Sequence, residues 1–196
     1  MAFINHAVRE LCCKIVYYGP GLGGKTANVQ HIYNRTAEAS RGRLISLKTE
    51  SDRTLFFDFL PIDLGKISGF STRIQLYTVP GQVHYRASRR LILRGVDAVV
   101  FVADSQRARL DADAEAMSDL EDNLAEQGQS LDQVPLVIQY NKRDLDEIAP
   151  VPELRELLNP RGAPELEAAA ASGLGVFETL KAVSRLALTG IKLARR

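Results

Sequence analysis

An α/β fold, with a mostly parallel sheet covered on both faces by helices, is what this sequence predicts, and three features point to it. Apolar runs of strand length alternate with longer helical patterns. One of those runs, "DAVVFVADS" (Asp97 to Ser105), is apolar almost throughout, as a central strand buried on both faces requires. A glycine-rich stretch, "GPGLGGKT", falls between a strand-like run and a helical one.

The elements follow in order. "LCCKIVYY" (Leu11 to Tyr18) reads as a buried strand and "KTANVQHIYNRT" as the helix after it. "SLKTESDRT" (Ser46 to Thr54) is polar and irregular, the kind of loop that carries function. "TLFFDFLPI" and "TRIQLYTV" are β-type segments joined through Gly65 and Gly69, close enough for an antiparallel hairpin. In the second, Ile74 and Leu76 face one way and Arg73, Gln75 and Tyr77 the other. After the central run come a helix from about Asp111 to Gln127, the strand "PLVIQYN", a short helix near Glu153 to Leu158, a small strand near Leu166 to Ala170, and a last helix from Val176. The expected architecture is six strands and five helices, parallel apart from the hairpin.

At 196 residues the chain reads as one domain, 1–196, with enough length for a substantial core. Twenty-five Lys and Arg against 24 Asp and Glu leave a formal net charge of +1, which argues for neither nucleic acid nor an anionic membrane as partner. Cys12 and Cys13 are adjacent in an apolar run, so they read as buried thiols of a reducing compartment rather than a disulfide. No segment approaches the roughly 20 apolar residues of a membrane helix, and the N-terminal stretch lacks the order of a signal peptide. The expectation is a cytoplasmic protein without direct membrane insertion. With neither a myristoylation glycine nor a prenylation cysteine, recruitment to a membrane or a cell pole would go through another protein.

"GPGLGGKT", Gly19 to Thr26, fits G-x-x-x-x-G-K-[ST] in the strand-to-helix context that gives the motif its physical meaning. Gly19, Gly21, Gly23 and Gly24 let backbone N–H groups turn inward around phosphate oxygens. Lys25 is placed to reach β- and γ-phosphates, Thr26 to ligate Mg²⁺, and the helix start through Ala27 to add its positive dipole end. "NKRD", Asn141 to Asp144, directly follows the strand "PLVIQY" and suggests which base is bound. An Asp144 carboxylate can accept the N1–H and 2-amino hydrogens of guanine, a donor pair that adenine lacks. Lys142 can lie along the base plane, and Asn141 can tie this turn back to the glycine-rich loop. Taken alone, "NKRD" could be only a polar turn; position and pairing with the first motif make it specific.

These motifs and the order of strands resemble the Ras-like small GTPase superfamily, a P-loop G domain. "KIVYYGPGLGGKT", "DRTLFFDFLP", "YTVPGQ", "SRRLILRGVDAVVFVADS" and "VIQYNKRDL" are more similar still to the bacterial MglA group, GTPases of cell polarity and gliding motility. The likeness runs from about Ile4 to about Leu188. It implies a switch that binds GTP and GDP with Mg²⁺ and hydrolyses GTP slowly alone. By the same likeness Thr54 closes over Mg²⁺ and γ-phosphate, Gly81 donates its N–H to γ-phosphate, Gln82 orients the attacking water, and Arg53 is delivered to the transferred group. Ala170 would offer its N–H to guanine O6.

Most small GTPases carry an acidic residue where this chain has Thr78, and threonine there is the MglA group's own wording. The resemblance therefore implies Mg²⁺ held by Thr26, Thr54, phosphate oxygens and waters, with Thr78 behind them. It implies an activating partner of the MglB kind, a Roadblock-fold dimer, and effectors that dock through the two switch segments. Ala27, Lys48, His84 and Arg86 depart from the group's commoner wording, and the last two would alter partner choice. Two other classes stay open: a nucleotide-locked scaffold with negligible turnover, and an ATP-using P-loop enzyme, which "NKRD" disfavours.

Overall fold

The computed structural model describes residues 3–48, 54–81 and 85–193. Within them one mixed sheet of eight strands runs in the order β3-β4-β5-β2-β6-β7-β8, with β1 beside β2. The strands are β1 (Phe3–Asn5), β2 (Glu10–Tyr18), β3 (Ile45–Lys48), β4 (Thr54–Ile67), β5 (Phe70–Thr78), β6 (Ala98–Asp104), β7 (Leu136–Asn141) and β8 (Glu165–Glu167). The helices are α1 (Lys25–Arg35), α2 (Arg86–Leu93), α3 (Leu110–Ala125), α4 (Val151–Leu158) and α5 (Val176–Leu193). β2, β5, β6, β7 and β8 pair in parallel, while β1, β3 and β4 pair antiparallel with their neighbours.

Helix faces follow the 3.6-residue period. In α3, Asp113, Met117, Leu120 and Leu124 are buried on one stripe, and in α5 Val176, Val183 and Ala187 form another. α1 and α5 cover one face of the sheet through Val29, Ile32, Val176 and Val183, packed on Ile15, Tyr17, Val100 and Val102. α2, α3 and α4 cover the other through Leu93, Leu120 and Leu154, packed on Val16, Tyr18, Val99 and Phe101. Alternate residues of β2 and β6 thus serve opposite cores, and all of β6 is buried, as the apolar run implied.

Four details correct the sequence reading. Among the described residues there are eight strands rather than six, because Phe3–Asn5 pairs with β2, and part of the supposed polar loop forms β3 against β4. Those short strands have little apolar signal of their own and exist through pairing. The hairpin turns at Ser68 and Gly69, both with positive φ, while Gly65 lies within β4 at a register shift. β8 ends at Glu167, leaving the alanines that follow in a loop. The fifth helix, expected without bounds, is α2. Both thiols are free, Cys13 fully buried and Cys12 half-buried.

Candidate functional site

The site is built at the ends of the parallel strands, where β2 passes into α1. Gly24 sits at the start of α1 with φ 101°, a left-handed conformation, and no side chain caps the helix. Backbone N–H groups in the first turn of a helix favour an anion, and here that turn is Lys25 to Ala27. Ala27 can contribute only by this backbone group, since its side chain packs against the core beside α1. Lys25 is almost wholly buried, and its Nζ donates to the carbonyls of Gly19 at 2.9 Å and Pro20 at 2.7 Å. Burial first, and the Arg89 charge second, lower its pKa to about 7, so the group is held where an anion would restore its proton.

Asn141 joins three segments into one unit. Its Nδ2 donates to Gly23 O at 2.8 Å, and its Oδ1 accepts from the Ala170 N–H at 2.9 Å. A Cβ on Gly24 would stand 2.1 Å from that Nδ2, which explains glycine there. Beneath it, Gln139 and Asn28 exchange side-chain hydrogen bonds at 2.8 and 3.0 Å, and Gln139 also donates to Thr179 at 2.9 Å. The predicted tie between "NKRD" and the glycine-rich loop is thus present, with further buried amides that the sequence reading missed. Asp144 is an exposed carboxylate of the same turn. Ala170 is brought to this loop, but its N–H is already engaged by Asn141, so a base carbonyl would have to share it. Lys142 has φ 65°, and its ammonium donates to buried Asp104 at 2.6 Å and to Gln106 at 3.1 Å. Its charge therefore sits on Asp104, and only its stem is left to flank a base.

On the opposite flank, Thr26 Oγ1 donates to Asp58 Oδ2 at 2.7 Å, and Thr78 Oγ1 donates to the same oxygen at 2.9 Å. Thr78 Oγ1 also accepts from the Asp58 N–H at 2.8 Å, while Ser46 Oγ donates to Asp58 Oδ1 at 2.6 Å. The flank therefore contains a buried carboxylate, although the sequence reading found none there. Asp58 stands opposite Thr78 because Phe59 pairs with Tyr77 one step earlier in the antiparallel ladder. Oxygen donors of this kind suit Mg²⁺. No group of three or more His, Cys, Asp or Glu that could hold a metal ion occurs among the described residues.

Gly81 packs backbone to backbone on the glycine-rich loop: a Cβ on it would lie 2.5 Å from Gly21 N and Cα. Arg89 of α2, nearly buried, holds the turn before it by donating to Pro80 O at 3.4 Å and pairs with Asp119 of α3 at 2.7 and 3.2 Å. Tyr18 donates to the same carboxylate. Arg109 donates to Gly21 O at 2.9 Å. Neither arginine was singled out in the sequence, since an arginine in a helix reads as solvated. Arg86, expected on a partner-docking face, lies along α3 within 3.5 Å of Asp122 and 3.2 Å of Glu126. Thr54 opens β4 in register with Lys48. Arg53, Gln82 and His84 lie outside the described residues.

Residues 62–184 match the profile of the ADP-ribosylation factor family. Over 192 residues, 98% of both chains, the sequence is 62% identical to the mutual gliding-motility protein MglA of Myxococcus xanthus (strain DK1622). The chain is an MglA-like small GTPase of the Ras-like superfamily. Small GTPases of this family bind guanine nucleotide, and here Asn141 holds the "NKRD" turn beside the glycine-rich loop. Among the described residues no helix is long and apolar enough to cross a membrane.

Proposed function

We propose that this protein is a GTP-hydrolysing switch that alternates between effector-binding and inactive states to control cell polarity or gliding motility. The observation that carries the reading is the Asn141 bridge, because it makes the glycine-rich loop, the "NKRD" turn and the Ala170 loop one preorganised receptor. The N–H groups of the glycine-rich loop and of the helix start through Ala27, with the Lys25 ammonium, bind the phosphates, and Asp144 selects guanine. Thr26 and Thr54 hold Mg²⁺, which when bound neutralises charge on the β- and γ-oxygens. Gly81 donates to the γ-phosphate. Gln82 orients water and Arg53 meets the developing charge, so hydrolysis is slow until a partner fixes the loop that carries Arg53. That partner is a Roadblock-fold dimer of the MglB kind. Loss of the γ-phosphate releases the loops around Thr54 and Gly81, and output comes from that change of state.

Two measurements test this. GTP and GDP should compete for one site that ATP leaves unaffected. Single-turnover GTP hydrolysis should accelerate by about 10³–10⁵ with a Roadblock-fold partner from the same genome, an effect that Arg53→Ala abolishes without loss of nucleotide binding. Tight binding without acceleration would instead support a nucleotide-locked scaffold.

A further inference from the structure

The structure assigns Arg109, the residue before α3, a positioning role in the nucleotide site: it holds the Gly21–Leu22 peptide plane so that the Leu22 N–H faces the phosphates. The assignment rests on the proposed function, that the glycine-rich loop takes a guanine nucleotide. Arg109 stands 88 residues along the chain from Gly21, outside every motif, and its Nη2 donates to the Gly21 carbonyl at 2.9 Å.

In a planar trans peptide the N–H points opposite to the C=O. Drawing Gly21 O toward the start of α3 therefore turns the Leu22 N–H away from α3, and among the described residues that N–H has no acceptor. Leu22 itself stands at φ 65°, in the left-handed region, which is costly for a bulky residue. Its side chain is 87% exposed, so packing does not offset the cost. Rotation of the peptide plane changes ψ of Gly21 and φ of Leu22. Gly21 has no Cβ to resist that rotation, and Leu22 would gain a negative φ from it. The relaxed arrangement would thus present a carbonyl where a phosphate needs a donor, and Arg109 holds the strained one.

Arg109 is anchored in turn. Its Nε lies 3.8 Å from Oδ2 of the wholly buried Asp104, and the same oxygen takes Lys142 at 2.6 Å. The clamp on Gly21 and the lysine of the "NKRD" turn therefore stand on one carboxylate. Gly23 O and Gly24 O are held likewise, by Asn141 and Asn28, so side chains from three segments fix the orientation of the loop's peptides.

The test is the rate at which a fluorescent guanosine diphosphate leaves the purified full chain at fixed Mg²⁺, measured for the native protein, Arg109→Gln, Leu22→Gly and the double variant. A hydrogen bond from a charged donor is worth about a factor of ten or more, so Arg109→Gln should release the nucleotide about tenfold faster than the native chain. Glycine adopts the left-handed region freely, so in the Leu22→Gly background the same substitution should accelerate release by less than about threefold. A role confined to stabilising the start of α3 would give no such rescue. Should Arg109→Gln fail to fold, Arg109→Lys replaces it and should show the same pattern, because one ammonium lacks the fork that serves both Gly21 O and Asp104. A release rate unaltered by loss of Arg109, or an equal acceleration in the two backgrounds, overturns the assignment while the nucleotide reading stands. A native chain that binds no fluorescent guanosine diphosphate overturns both.

Discussion

The two flanks of the glycine-rich loop are held by different chemistry. On the "NKRD" side, neutral amides and hydroxyls of Asn28, Gln139, Asn141 and Thr179 lock β7, α1 and α5 together with nearly every partner buried, and one ion pair, Lys142 on Asp104, lies beside them. On the switch side, charged groups do the holding: Asp58 under three hydroxyls, Arg89 on Asp119, and Arg86 and Arg90 along α3. Neutral interlocks in a dry interior respond weakly to salt, pH and metal, whereas charges respond to all three. On the proposed reading, the flank that takes the base stays fixed, and the part expected to move is held by interactions that a phosphate, a cation or a partner's charge can outcompete.

The largest effect should come from Arg89→Met, on the charged flank. It takes from Asp119 the nearer of its two cations, a loss of about 3–5 kcal/mol for buried pairs, of which the lower end applies because Arg86 stays at 3.9 Å and Asp119 keeps some solvent contact. Urea unfolding of the variant, beside Asp119→Asn and the double variant, measures the coupling directly. Asn141→Ala on the neutral flank should cost about 2–4 kcal/mol, since it strands the Gly23 carbonyl and the Ala170 N–H. Nucleotide affinity should fall with it. If the two losses vary equally with salt, the contrast between the flanks fails.

How far the sequence reached also divides along this line. The glycine-rich loop and the "NKRD" turn were legible because their residues are contiguous and their backbone demands are local, as at Gly24. β6 and the buried stripes of α3 and α5 were legible through periodicity. Asp58 was not, because an acidic residue in "FFDFL" reads as one outward position of a strand. It is the pairing of β4 with β5 that brings it to Thr26, and register is set by the whole sheet rather than by local wording. Arg89 was missed for a related reason: the packing of α2 on α3 buries it, and nothing in its neighbours announces that. Gly65 was assigned to the turn, where the structure uses it for a bulge four residues earlier than Gly69.

A pH profile sharpens the comparison at α3. Burial, with the adjacent Asp104 charge adding to it, raises the Asp113 carboxyl from 3.8 to about 7, against the lowering effect of the Asp104 N–H. Between those values the folded chain holds a proton that the unfolded chain has shed, so the contribution to stability is full below 3.8 and lost as pH rises through about 7. Asp113→Asn keeps an acceptor for the Asp104 N–H and removes the titration. Relative to this variant, the native chain should lose on the order of 2 kcal/mol between pH 5 and pH 8, read from denaturant midpoints. Parallel profiles for the two proteins would show that Asp113 stays ionised.

The smallest effect should come from the surface of the same flank. Arg86 and Arg90 are half exposed, and their pairs with Asp122 and Glu126 lie in solvent. Exposed pairs contribute about 0–1 kcal/mol and are screened by salt, so Arg86→Ala should change stability by less than about 1 kcal/mol at low ionic strength, with nothing measurable left in molar salt. A larger or salt-independent loss would mean that Arg86 clamps α2 to α3 as Arg89 does. The small loss expected would leave Arg86 able to exchange its α3 carboxylates for a partner's at little cost, while Arg89, Arg90 and the buried Leu93 keep α2 in place.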